Sequence, residues 1–214
     1  GLLDMIDRSW ITSTRGYGFL LFFVGLLVYL PRLGAQPLYM WDEAIYGNVA
    51  RNMVRHGHWL TPHFNWYLEG LVPFYQKPPL GFWLQAIAME LVGVSTFAVR
   101  LPAALATAGT AVLVYVIGGQ LYDRETGLAG GLLLLVFPGV IKYGHSGSSG
   151  ALDMPLVLFG SLFVWWTWQA ADRPRYYLPA GVAAGLAVMT KGVAAGVFLF
   201  VLLPVVLLDW RRYL

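Results

Sequence analysis

No cysteine occurs in the 214 residues, so neither a disulfide nor a thiolate-bound metal can hold this chain together. Charge is scarce as well. Asp, Glu, Lys and Arg make up 12% of the residues, against roughly 25% in an ordinary soluble domain. A chain so short of charge need not face water over most of its surface. Apolar residues fill the space, at 58% of the chain and a mean hydropathy of +0.62. The net charge of +3 is too small for a surface that binds nucleic acid through bulk charge, so no nucleic-acid partner is expected. Repeats and low-complexity tracts are absent too. The basic residues matter through their placement beside apolar runs.

The first apolar run covers residues 17–31. Pro31, Arg32 and Leu33 follow it instead of a small-residue cleavage site, so it reads as a retained membrane anchor. Five more runs carry almost no charge: 101–122, 126–141, 154–171, 176–190 and 192–208. With their uncharged flanks, each approaches the roughly 17–25 residues that a spanning helix needs. Their internal glycines and prolines, such as Gly130, Gly131, Pro138 and Pro204, suit helices that pack closely in lipid.

Leu80–Val92 is apolar but short, and it contains Gln85 and Glu90. If it crossed, the pairs Arg173/Arg175 and Arg211/Arg212 would fall on the face opposite the N-terminus. If it lies flat, the N-terminus, Arg124 and both Arg pairs share one face, and positive charge favours the cytoplasm. The flat reading predicts an all-α polytopic helical bundle of about six transmembrane helices with both ends cytoplasmic. Two interfacial juxtamembrane helices then occupy the first outer loop, Asp42–His56 and Leu80–Val92. The first is amphipathic, with Ile45, Val49 and Met53 on one stripe and Asn48, Arg51, Asn52 and Arg55 on another. Gly144 to Gly150 reads as a short flexible outer loop.

This arrangement puts Asp42, Glu43, Lys77, Asp153 and Lys191 at membrane edges on one face. Ionisable groups next to hydrocarbon are costly and mark functional sites by default. Each also has an ordinary structural reading. Asp42 and Asp153 would cap the helices that start there, and the two lysines would snorkel toward headgroups. The four histidines, His56, His58, His63 and His145, fall outside the spans and without metal-ligand spacing.

Five motifs stand in a characteristic order: Trp41-Asp42-Glu43-Ala44-Ile45-Tyr46, Gln76-Lys77-Pro78-Pro79-Leu80, Val99-Arg100-Leu101-Pro102-Ala103, Leu152-Asp153-Met154-Pro155-Leu156 and Met189-Thr190-Lys191-Gly192. In this order the chain resembles the bacterial relatives of protein O-mannosyltransferases, especially the lipid A aminoarabinose transferases, which have the GT-C fold. The resemblance spans residues 41–192 and matches only the front half of the family. Residues 1–214 are thus expected to be one transmembrane domain, the N-terminal module of that fold, with the C-terminal part absent.

The resemblance implies an integral membrane glycosyltransferase that takes sugar from a polyprenyl-phosphate lipid and gives it to an acceptor hydroxyl. It would work at the outer face of a bacterial inner membrane, among membrane lipids and protein partners of a membrane complex. Asp42 would be the catalytic carboxylate and Asp153 a second acidic site residue. Lys77 and Lys191 would approach the lipid phosphate. The family pattern often has Arg three residues after the catalytic Asp; here that residue is Ile45, so Arg51 or Arg55 is expected to substitute. The family also has a metal-ligating Glu before Lys-Pro, where this chain has Gln76, and its metal-binding His lies beyond residue 214. No cofactor and no metal site are expected. The alternative reading, from a different class, is a non-catalytic membrane subunit built from a truncated fold of this kind.

Overall fold

The computed structural model of the chain describes residues 8–67, 69–141 and 146–208. His145, Arg211 and Arg212 lie outside the described residues. Helix α1 (Arg8–Leu33) is followed by α2 (Asp42–His56) and a β-hairpin of β1 (His63–Trp66) and β2 (Gly70–Pro73). Then come α3 (Leu80–Val92), α4 (Thr96–Leu121), α5 (Arg124–Val136), the short α6 (Pro138–Ile141) and α7 (Asp153–Ala170). The described chain ends with α8 (Tyr177–Lys191), a 3₁₀ segment (Gly192–Gly196) and α9 (Val197–Leu208).

This is an all-α polytopic membrane protein with one small hairpin added. Three stretches among the described residues, not six, are long and apolar enough to cross a bilayer: Arg15–Leu33, Thr96–Leu121 and Pro174–Pro204. The difference has local causes. Helix α5 has only 13 residues, because Pro138 follows Phe137 and breaks the run. Helix α7 has 18 residues, but Asp153, Gln169 and three tryptophans lower its hydropathy. The 31-residue stretch Pro174–Pro204 joins two runs that the sequence divides at Lys191. That stretch does not run straight. Lys191 meets Asp153, Ala187 and Ala195 share a cluster with Leu156, and Phe198 packs on Gly160. The chain therefore doubles back beside α7 at Lys191–Gly192, where Gly192 takes φ 61°.

Small residues bring the helices together, as expected where lipid supplies no hydrophobic drive between them. Gly127 and Gly131 of α5 sit directly on the α4 backbone. A Cβ at Gly131 would lie 2.8 Å from the Ala111 carbonyl oxygen. Gly25 of α1 approaches Ala108 of α4 in the same way. The Tyr29 hydroxyl, buried between helices, donates to the Leu135 carbonyl at 2.9 Å. Ser95 and Asp123 cap α4 and α5, accepting from the Ala98 and Thr126 amides at 3.2 and 2.8 Å.

Helices α2 and α3 gather at one end of the bundle, where Tyr46, Val49, Met53, Phe82, Ala86 and Val99 form a shared core. The opposite end carries Arg124, stacked 3.8 Å over the Tyr17 ring. Trp165 and Gln169 of α7 also lie there and donate to Gln120 of α4.

Two expectations about polar segments change. The polar stripe of α2 is not simply a water-facing surface. Asn52 is buried and donates to Asn48, to the His63 carbonyl and to Asn65, at 3.0–3.1 Å, so it docks the hairpin onto α2. Residues 146–150 are pinned, not loose. Ser146 and Ser149 are buried, and Gly150 packs against Val99 and Glu43.

Candidate active site

Helix α2 starts abruptly. Its cap residue is Trp41 at φ 75°, ψ −129°, and no side chain caps the helix. Asp42 is the first helical residue and not the cap, so the capping reading for it does not hold. The same is true of Asp153, which follows the cap residue Leu152 at the start of α7. Both carboxylates still sit where a helix N-terminus favours negative charge.

The next residue, Glu43, turns inward. Its side chain and that of Arg100 are each 2% exposed. Arg100 Nε donates to Glu43 Oε1 at 2.7 Å and Nη2 to Oε2 at 2.9 Å. The same guanidinium donates to the carbonyls of Leu33, Gln36 and Pro37 at 2.8–2.9 Å. Glu43 also accepts the amides of Tyr39 and Gly150, both at 2.6 Å. Gln85 of α3 donates to the Gly150 carbonyl at 2.7 Å. One buried ion pair thus ties together the end of α1, the start of α2, the start of α4 and the segment leading into α7. A buried pair is tolerated only when its remaining polar atoms are satisfied, and these are.

One turn along α2, Tyr46 is buried against Phe82, with ring centroids 5.5 Å apart. Its hydroxyl hydrogen-bonds Asp42. Burial pushes the phenol well above its ordinary range, and the negative charges of Asp42 and Asp153 push it further. Tyr46 therefore remains a donor, fixing the Asp42 carboxylate. Both carboxylates act on this hydroxyl, Asp42 as its hydrogen-bond partner and Asp153 through its charge.

Asp153 accepts from Lys191 Nζ at 2.5 Å. Lys191 is 12% exposed and Asp153 29%. The chain just after Lys77 passes the same corner, since a Cβ on Gly192 would stand 3.7 Å from the Pro78 ring. Asp42, Lys77, Asp153 and Lys191 are therefore brought together at one end of the bundle. Arg51 is not. Nine residues after Asp42, it lies about half a turn around the helix. There it lines a separate cavity of about 210 Å³ with Ala44, Gly47, Met89 and Val99, and its buried Nε has no hydrogen-bond partner. Arg51 thus lies on another face of α2 than Asp42, while Ile45 stands where the family pattern often has arginine.

Gln76 is exposed and carries a neutral amide, a poor ligand for a hard cation. Among the described residues, no group of three or more His, Asp or Glu side chains is placed to hold a metal ion.

The sequence singles out Glu43 as a membrane-edge carboxylate, but it does not reveal its pairing with Arg100 or Tyr46 as a part of this site. Two faint signals existed: Tyr46 stands four residues after Asp42, one helical turn on, and Arg100 is a lone cation at the head of an apolar helix.

The profile of the family described as dolichyl-phosphate-mannose-protein mannosyltransferase matches residues 76–214. The undecaprenyl phosphate-alpha-4-amino-4-deoxy-L-arabinose arabinosyl transferase of Pseudomonas savastanoi pv. phaseolicola is 34% identical over 204 residues, 92% of this chain and 36% of that protein. The protein of the same name from Shewanella sediminis is 31% identical over 210 residues, 91% of this chain and 35% of its own length. The crystal structure of ArnT from Cupriavidus metallidurans in the apo state superposes with a TM-score of 0.78 at 24% identity, covering 94% of this chain and 38% of that one. The structure of the same protein bound to undecaprenyl phosphate gives a TM-score of 0.73 at 22% identity, covering 92% and 38%. The chain thus spans little more than a third of the length of the relatives it matches. With its five ordered motifs, a matching profile over most of its length and a shared fold, this chain belongs to the dolichyl-phosphate-mannose-protein mannosyltransferase family, on the branch that resembles the aminoarabinose transferases.

Proposed function

We propose that this chain is the catalytic front module of a membrane glycosyltransferase that uses a polyprenyl-phosphate sugar. The observation that carries the reading is the gathering of two carboxylates and two lysines at one end of an apolar bundle. Asp42 acts as general base toward an acceptor hydroxyl. The acceptor oxygen attacks the anomeric carbon, the bond from that carbon to the phosphate oxygen breaks, and polyprenyl phosphate leaves with the bonding electrons. Lys77 and Lys191 stabilise the charge on the departing phosphate in a site partly shielded from water. Asp153 holds Lys191 in place. A single displacement inverts the anomeric centre, and neither nucleotide nor metal is required.

On this proposal the Asp42 end faces the outer side of a bacterial inner membrane. Helices α2 and α3 lie along that interface. The end carrying Arg124, Arg173 and Arg175 faces the cytoplasm, following the bias of positive charge. The relatives' names suggest undecaprenyl phosphate as the lipid and 4-amino-4-deoxy-L-arabinose as one candidate sugar. The test is transfer of labelled sugar from such a lipid by the detergent-solubilised full-length gene product. Release of free polyprenyl phosphate together with an inverted glycoside supports the reading. Lipid binding without any transfer contradicts it and favours a non-catalytic membrane subunit.

A further inference from the structure

Trp41 is the only non-glycine residue at positive φ among the described residues, at φ 75°, ψ −129°. A bulky side chain is disfavoured there, and glycine would adopt the same backbone without penalty. The cause of the bend is visible. The Tyr39 amide is tied to Glu43 Oε2 at 2.6 Å, and the Trp41 carbonyl accepts the Ile45 amide at 2.9 Å. Between those two bonds the chain must turn sharply so that Glu43 points inward to Arg100. The bend explains the dihedral and leaves the tryptophan unexplained. Its indole takes no part in that clamp and is 79% exposed, on the residue immediately before Asp42.

We propose that Trp41 is a stacking platform for the sugar of the donor lipid, a positioning residue that holds the pyranose beside Asp42. This rests on the transferase reading above. An indole face carries partial negative charge and a large apolar area, and the C–H face of a pyranose ring is its complement. Strained backbone that persists at such a position marks a function that the surroundings enforce. A tryptophan serving only as an interfacial anchor needs neither this dihedral nor a place next to the carboxylate.

The strain makes the test clean, because Trp41→Gly removes the indole and relieves the backbone at once. The full-length protein in detergent is titrated with undecaprenyl phosphate and with undecaprenyl phosphate carrying either 4-amino-4-deoxy-L-arabinose or mannose, and its melting temperature is measured. Trp41→Gly is expected to melt no lower than wild type and to bind bare undecaprenyl phosphate unchanged. Its affinity for the sugar-bearing lipid that wild type prefers should fall about tenfold, and Trp41→Phe should recover part of that loss. Equal weakening toward bare and sugar-bearing lipid would show a membrane anchor and overturn the proposal. A lower melting temperature would show that the indole packs within the protein, and unchanged binding of every lipid would show an idle side chain; either outcome also overturns it. If wild type itself fails to distinguish sugar-bearing from bare lipid, the transferase reading fails and this proposal with it. If wild type transfers sugar and Trp41→Gly matches it, this proposal fails alone.

Discussion

Arg100 grips both carboxylate oxygens of Glu43, Nε to Oε1 at 2.7 Å and Nη2 to Oε2 at 2.9 Å, and neither side chain is more than 2% exposed. Asp42 is covalently next to Glu43, so the pair fixes where the candidate base stands. Removing one partner leaves an uncompensated buried charge, which costs about 3–5 kcal/mol. Glu43→Ala and Arg100→Met are each expected to destabilise by that amount, measured as loss of thermal stability in detergent. Arg100→Lys should rescue little, because an ammonium cannot reproduce the planar fork that also reaches Leu33, Gln36 and Pro37.

Tyr46 makes a pH prediction. Its phenol sits above the ordinary value of 10.0 in the folded protein, first through burial and then through Asp42 and Asp153. From about pH 10 upward the unfolded chain gives up this proton while the folded protein keeps it. The folded state then binds more protons, so stability falls as pH rises, by up to about 1.4 kcal/mol per pH unit from this one group. Below pH 10 the contribution is fully present. Comparing melting curves of wild type and Tyr46→Phe between pH 8 and 11 should show a shallower decline in the variant. Identical slopes would mean that the phenol is not held protonated.

Much of the site's geography was legible in the sequence, because membrane proteins confine charge to few places. The edges of Asp42–His56 and Leu80–Val92 follow from the charge and proline positions, and the ionisable residues Asp42, Lys77, Asp153 and Lys191 stand out because they interrupt or border apolar runs. What holds those residues was not legible. Glu43 and Arg100 are 57 positions apart, and pairing over such a distance leaves no periodic trace. Asn52 reads as one of a polar stripe until the hairpin that it docks is seen. The serines and glycines of 146–150 look flexible, yet small residues are also what a tightly packed segment requires. The count of spans failed for a similar reason. Apolarity alone does not show that Pro138 cuts one run short or that Lys191 is a point of reversal.

Lys191 tests the phosphate role. Its contact with Asp153 is partly exposed, so by itself it stabilises the fold by no more than about 1 kcal/mol. Lys191→Met should therefore melt close to wild type. It should lose much of the stabilisation that added undecaprenyl phosphate gives wild type, because ligand stabilisation follows affinity. A full thermal shift with undecaprenyl phosphate in Lys191→Met would remove this lysine from the phosphate site.

The central claim is that Asp42 is the base of a sugar transfer, and the most direct measurement is the transfer rate of Asp42→Asn in the full-length protein, with melting temperature followed in parallel. Asn keeps the shape and the place at the helix start but cannot take the acceptor's proton. Loss of a positioned general base costs about 10²–10⁴ in rate. The expected result is a rate lower by at least about a hundredfold at an unchanged melting temperature. Transfer at the wild-type rate by Asp42→Asn would contradict the claim.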